Sequence, residues 1–317
     1  EAPPAVVSIF LGDELSAILE AIEMDSPYEG TAQKKMKLGV DALPRITQDT
    51  TDRNRTSPFA FTGNKFEFRM VGSGDSIACA NIMLNAAVAE ALRQFADILE
   101  GPGDFDAILH GLIKETIISH KRILFNGNGY DGQWIEEAVE KRGLLNLPTT
   151  PDAMAHLLDK GNMEMLLKNG VFTEGELRSR YEIQLENYTR TVKIEALTME
   201  DMARREIFPA VQRYAGSLAA AMADKAKVDP ALVSGYEKKA SAAISGLLDE
   251  IDQAADALAE KLTALDRAVD VTAQALLVKG EIIPAMEALR KPCDKAESMV
   301  GQKDWPFPTY GDLLFGV

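Results

Sequence analysis

Apolar residues recur along this chain with two different rhythms, and the change between them falls near Trp134. Before it, β-branched and aromatic runs bounded by Gly, Pro and Asp alternate with helical stretches, a mixed α+β texture. Ala5–Leu11 reads as a buried strand, Asp13 as an N-cap, and Glu14–Glu23 as a helix with Leu15, Ile18, Leu19 and Ile22 on one face. A connector with Pro27 and Gly30 follows. In Asn64–Val71, Phe66, Phe68 and Met70 alternate with Lys65, Glu67 and Arg69, the period of a strand with one apolar and one charged face. Ile77–Glu100 and Phe105–Leu124 carry helical spacing; the first stops at Gly101-Pro102-Gly103, the second before Asn126-Gly127-Asn128-Gly129.

After Trp134 long helical patterns take over and predict a bundle. Pro151–Leu167 is one predicted helix, with Thr150 as N-cap and Pro151 in the first position, where its missing N–H does no harm. Gly175–Met222, kinked at Pro209, and Ser234–Leu289 are longer. Within the latter, Ile244, Leu248, Ile251, Ala255, Leu258, Leu262, Leu265 and Val269 alternate steps of four and three, an a/d seam that requires a partner. The turn at Asp229-Pro230 lets the two helices fold into an antiparallel hairpin, onto which a third helix or a neighbouring subunit packs. Pro284 and Pro292 are expected to break the pattern, and the aromatic tail from Asp304 to Tyr310 to dock on the protein. The expected division is residues 1–130 as the α+β portion and 131–317 as the helical one.

Composition narrows the class. At 317 residues, 46% hydrophobic and 26% charged, the chain is an ordinary globular sequence with room for about two or three compact units. The 49 acidic and 34 basic side chains leave a net charge of -15, which repels phosphate backbones and anionic lipid and argues against nucleic acid and membrane as partners. Two cysteines, Cys79 and Cys293, provide neither a disulfide framework nor a metal knuckle, so a cytoplasmic location is expected. No apolar run reaches the roughly 18–20 residues of a membrane span, and no basic leader opens the chain. It begins Glu1-Ala2-Pro3-Pro4 without an initiator methionine, which suggests the start of a fragment.

The densest chemistry lies between Asp52 and Arg69, where Arg53, Arg55, Lys65 and Arg69 surround Asp52 and Glu67. On one strand face, Glu67 offers a hard oxygen ligand to Mg²⁺ or Mn²⁺, and Arg55, Lys65 and Arg69 neutralise phosphate or carboxylate oxygens beside it. The plainer alternative is a solvated strand face laced with ion pairs, each contributing at most ~1 kcal/mol. His110, His120 and His156 lack ligand spacing and read as structural or surface residues. Gly72-Ser73-Gly74 reads as a turn before a helix, with phosphate cradling the alternative. Asn81 and Asn85 read as packing groups, and Met199 and Met202 as core filler.

The sixteen-residue run from Asn54 to Arg69, Asn-Arg-Thr-Ser-Pro-Phe-Ala-Phe-Thr-Gly-Asn-Lys-Phe-Glu-Phe-Arg, resembles the signature of the type III glutamine synthetases. The resemblance continues in Glu1–Pro4, in Phe125–Tyr130, in Arg180-Tyr181-Glu182 and in Trp305–Tyr310, and so covers nearly the whole chain. It implies ATP-dependent condensation of glutamate with ammonia through γ-glutamyl phosphate, with Mg²⁺ or Mn²⁺ bound. It implies that Glu67 is a metal ligand, that Arg55 contacts the γ-phosphate, and that Arg69 contacts glutamate or the phosphoryl group. Lys65 would lie at the nucleotide. Glu1 corresponds to the flap glutamate that helps to deprotonate ammonium. Two positions depart from the commoner types, Ala60 and Lys65 each standing where those have arginine, and a lysine cannot reproduce a bidentate guanidinium fork. Further metal ligands and nucleotide contacts are expected N-terminal to Glu1.

By this resemblance residues 1–130 are the end of a catalytic domain and 131–317 a helical domain particular to type III enzymes. Such enzymes assemble as homo-oligomers of two stacked hexameric rings, a dodecamer. A competing reading is a non-catalytic helical oligomerisation or interaction module derived from a synthetase, inactive in its own right.

Overall fold

A computed structural model of the chain describes residues 6–28, 30, 35–36, 46–47, 55–69 and 76–316. Glu1, Asp52, Arg53 and Gly72-Ser73-Gly74 lie outside the described residues, as does the expectation attached to each. The chain divides into two compact units, residues 1–148 with 156–177, and residues 149–155 with 178–317. The described residues are mostly helical, with two small sheets.

The first unit opens with β1 (Ile9–Phe10), α1 (Asp13–Glu23), a two-stranded antiparallel pair β2 (Lys35–Met36) and β3 (Ile46–Thr47), then β4 (Phe59–Phe61) and β5 (Phe66–Phe68). β1 runs parallel to β4, and β4 antiparallel to β5, in the order β1-β4-β5. The regular part of each predicted strand is short: Ala5–Leu11 contributes only Ile9 and Phe10, and Asn64–Val71 only Phe66–Phe68. Two long helices follow, α2 (Ile77–Leu99), capped by Ser76 Oγ on Ala78 N at 3.2 Å, and α3 (Phe105–His120), capped by Asp104. A 3₁₀ turn over Lys121–Ile123 finishes the second predicted helix. Asp13 is not the N-cap of α1. Gly12 occupies that position with φ at 81° and without a side-chain cap, its own N–H donating to Asn126 Oδ1.

Around α4 (Gly132–Glu136) a small core forms. Trp134 is buried with Val6 and Ala138, its ring stacked on Phe125 at 4.0 Å and its Nε1–H donating to Val6 O at 3.3 Å. Trp134 and Val6 thus share one core within the first compact unit.

The predicted helix Pro151–Leu167 is two helices, α5 (Thr150–Ala155) in the second unit and α6 (Lys160–Lys168) in the first. Thr150 is already helical, and Thr149 bonds Asp152 at 2.6 Å instead. The break follows from His156–Asp159, whose side chains bond each other at 2.7 Å, while Asn162 Nδ2 donates to His156 O and occupies that carbonyl. Leu166 and Leu177 bury against Ala86 of α2.

The second unit is built on α7 (Glu174–Met202), α8 (Phe208–Val228), α9 (Gly235–Arg267), α10 (Val271–Leu277) and α11 (Ile283–Glu297). α9 packs on α8 through the short connection predicted at Asp229-Pro230; the stretch Ser234–Leu289 read as one helix breaks after Arg267, and α11, which begins within that stretch, packs on α9. Ser234 and Glu237 close a capping box at the start of α9. Ile244, Ile251, Ala255, Leu258, Leu262 and Leu265 of the predicted seam are buried, as is Leu247. Val269 is not: the helix has ended at Arg267, and Val269 is 94% exposed. A π-helical turn over Ala203–Ile207 stands where the kink at Pro209 was predicted, and another over Val278–Ile282 precedes Pro284. Wider turns accommodate a proline ring that cannot donate to the preceding turn. Pro292 does not break α11; it is buried inside the helix, where core packing outweighs one lost hydrogen bond. Trp305 and Phe307 of the tail pack on this core, ahead of α12 (Tyr310–Phe315).

Candidate active site

The charged segment is carried by the β4–β5 hairpin. Its turn is set by Gly63, with φ at 98°, and by Thr62 N–H donating to Lys65 O at 2.9 Å. Phe59 pairs with Phe68, Ala60 with Glu67, and Phe61 with Phe66. Four phenylalanines thus fall on one face, with ring centroids 5.3–5.9 Å apart, while Glu67 falls on the other beside the buried Ala60. The alternation read from Lys65, Glu67 and Arg69 sorts the charges to one side even though only Glu67 of the three lies within β5.

Both carboxylate oxygens of Glu67 are met by cations. Arg69 donates to Oε2 from Nε at 3.2 Å and from Nη2 at 2.9 Å, and Lys65 Nζ lies 3.2 Å from Oε1. The Arg69 side chain is 14% exposed and the Lys65 side chain 65% exposed, so the guanidinium is fixed and the ammonium is free to swing. The hydrogen bonds from Arg69 first, then from Lys65, hold the Glu67 carboxyl below the usual glutamate range. Arg69 is anchored in turn: its N–H donates to Pro58 O at 2.8 Å and its Nη1 reaches Ser57 O at 3.5 Å.

Arg55 stands exposed at the entrance to β4, with φ at 54°, a conformation disfavoured for any residue with a Cβ. The segment is braced by the loop at 125–130. Gly129 N–H donates to Thr56 O at 2.7 Å, and Phe125 N–H to Ile9 O at 3.0 Å. Asn126 Oδ1 accepts from Leu11 N and Gly12 N at 3.0 and 3.1 Å, while its Nδ2 donates to Ser16 Oγ at 2.8 Å. The bonds of Phe125 and Asn126 span more than 100 residues of sequence, and no periodicity announces any of these contacts; only the Asn and Gly content of the loop hints at turn chemistry.

Mg²⁺ or Mn²⁺ takes about six oxygen donors. Among the described residues no group of three or more His, Cys, Asp or Glu side chains can hold a metal ion. Glu67 supplies one carboxylate, so the described residues do not make up a divalent-cation site by themselves. The histidines are occupied elsewhere: His110 contacts Asp25 at 3.0 Å, beside Lys114, and His156 contacts Asp159. His120 borders an apolar groove of about 500 Å³ with Leu92, Phe95, Leu109 and Ile113. No helix of the described residues is long and apolar enough to cross a membrane.

Residues 108–226 match the glutamine synthetase C-terminal domain family. The chain is 34% identical over its whole length to a glutamine synthetase of Butyrivibrio fibrisolvens, covering 45% of that protein. It is 35% identical to the type-3 glutamine synthetase of Dictyostelium discoideum, over 99% of the chain and 44% of the relative. With a glutamine synthetase of Bacteroides fragilis (strain YCH46) the identity is 36%, over 99% of the chain and 45% of the relative. The chain thus spans a little under half the length of the curated relatives it matches.

Proposed function

We propose, from a kinship with glutamine synthetases that runs the whole length of the chain, that it forms the C-terminal portion of a type III glutamine synthetase. The full protein would condense glutamate with ammonia at the expense of ATP. The γ-carboxylate of glutamate attacks the γ-phosphorus of ATP, releasing ADP and leaving γ-glutamyl phosphate; ammonia then attacks the activated carbonyl and displaces phosphate.

The residues divide the work by charge. Arg55, exposed at the entrance to β4, meets the γ-phosphate oxygens, and Arg69 meets the glutamate carboxylate or the phosphoryl group; Lys65 serves the nucleotide. Phosphoryl transfer depends mostly on such positioning and neutralisation. Glu67 would offer one oxygen to a divalent cation, which would need further ligands from outside the described residues. Its Oε1 is the available atom, because the exposed Lys65 can move away whereas Arg69 cannot. Glu1 takes the proton from ammonium. Residues 1–130 would end the catalytic domain, and the helical portion from 131 would serve assembly into stacked hexameric rings in the cytoplasm.

The observation that carries this reading is the end-to-end similarity to the relatives. The test is the intact mass of the native gene product together with an assay for ATP-dependent glutamine formation at saturating glutamate, ammonium and Mg²⁺. A subunit about twice the mass of this chain that forms glutamine supports it. A native subunit of 34.6 kDa that forms none overturns it in favour of a synthetase-derived interaction module.

A further inference from the structure

We infer that Gly129 is a positioning residue that holds Arg55 in its left-handed backbone conformation; this rests on the reading of Arg55 as the phosphate-facing cation. A non-glycine residue stays at positive φ only where its surroundings enforce it, and Arg55 sits at 54°. The enforcing contact is on the following residue: Gly129 N–H donates to Thr56 O at 2.7 Å and fixes the peptide plane after Thr56. A Cβ at position 129 would lie 3.1 Å from Pro58 Cδ and 3.3 Å from Thr56 O, a tight fit that would push these neighbours back by a few tenths of an ångström.

Gly129 is itself rigidly mounted. Asn128 accepts from Tyr130 N through its side chain at 3.1 Å and from Asp131 N through its carbonyl at 3.2 Å. On the other side, Asn126 is bonded to Leu11, Gly12 and Ser16, and Phe125 is stacked on the buried Trp134. Strain at Arg55 is thereby transferred to a bracket anchored in β1, α1 and the Trp134 core. Gly129 touches no reacting group in this account and acts only through Thr56 and Arg55.

The test is a double-mutant cycle in the full-length protein, with Gly129→Ala, Arg55→Ala and the pair assayed for glutamine formation and oligomer size. Displacement of a catalytic group by about 1 Å costs on the order of 10²-fold. Gly129→Ala is expected to lower kcat by about 10- to 100-fold while KM for glutamate changes little, and to have no further effect in the Arg55→Ala background. A silent Gly129→Ala, or a loss that multiplies in full with that of Arg55→Ala, overturns the inference alone. Near-normal kcat in Arg55→Ala overturns the role of Arg55 and the inference with it. If Gly129→Ala does not assemble, the melting of Arg55→Gly against Arg55→Ala decides. Glycine relieves the positive φ, so the Gly variant should melt higher, and equal or lower melting contradicts an enforced conformation.

Discussion

Arg69 places two donors on a single oxygen of Glu67, Nη2 at 2.9 Å and Nε at 3.2 Å, and so leaves the opposite oxygen to the mobile Lys65. The hydrogen bonds from Arg69 and then Lys65 lower the pKa of Glu67, which sets the sign of its pH dependence. A depressed carboxyl pKa adds stability that is fully present above the ordinary glutamate range and is lost as the pH falls through the lowered value. Carbon NMR of the Glu67 carboxyl should give a midpoint below the usual glutamate range, and Arg69→Lys, which loses the fork, should move it up. An unchanged midpoint in that variant would show that the guanidinium does not govern the carboxylate.

Trp134 ties α4 to the segment entering β1 through Val6 O and to the 125–130 loop through its stack on Phe125, with the Arg142 guanidinium 4.9 Å above its ring. Trp134→Ala should destabilise the first unit by about 3–5 kcal/mol, whereas Trp134→Phe, which keeps a ring in place, should lose about 1 kcal/mol with the Nε1 bond. Denaturant unfolding measures both, and equal losses would mean that the stack contributes nothing.

Within α9 the seam has a defined end. Leu258→Ala, fully buried, should cost about 2–5 kcal/mol, and Val269→Ala, beyond the helix end, less than about 0.5 kcal/mol. Comparable effects on unfolding would place Val269 back in the seam.

The two cysteines should separate chemically. Cys79 is exposed, whereas Cys293 is buried and burial pushes its thiol up to about 11. Near pH 8 iodoacetamide should label Cys79 alone in the folded protein and both in denaturant, since the thiolate is the nucleophile. Mass spectrometry of the native protein showing Cys293 labelled as fast as Cys79 would contradict the packing of α11.

Much of this was legible from local pattern. The period of two around Glu67 sorted charge from aromatic residues, and the steps of four and three from Ile244 to Leu265 marked the face of α9 that is buried. What escaped depends on distant partners. Asn126 accepts from the amides of Leu11 and Gly12 from more than 100 residues away, and Gly12, not Asp13, takes the N-cap position of α1. Pro292 survives inside α11 because the core it packs against compensates for the bond it cannot make, a fact about neighbours and not about proline. The strained Arg55 lay within the most recognisable run of the sequence, yet nothing in that run specifies a positive φ; the cause sits in Gly129.

The central claim is that Glu67 works in a glutamine-forming site to which this chain contributes only part. The most direct measurement is ATP-dependent glutamine formation by the purified full-length protein, its Glu67→Ala variant and the isolated 317 residues, with oligomer size determined for each. Full-length protein should be active, Glu67→Ala should be slower by at least about 100-fold at unchanged oligomer size, and the isolated chain should form no glutamine. Near-normal kcat in Glu67→Ala, or turnover by the isolated chain, would contradict the account.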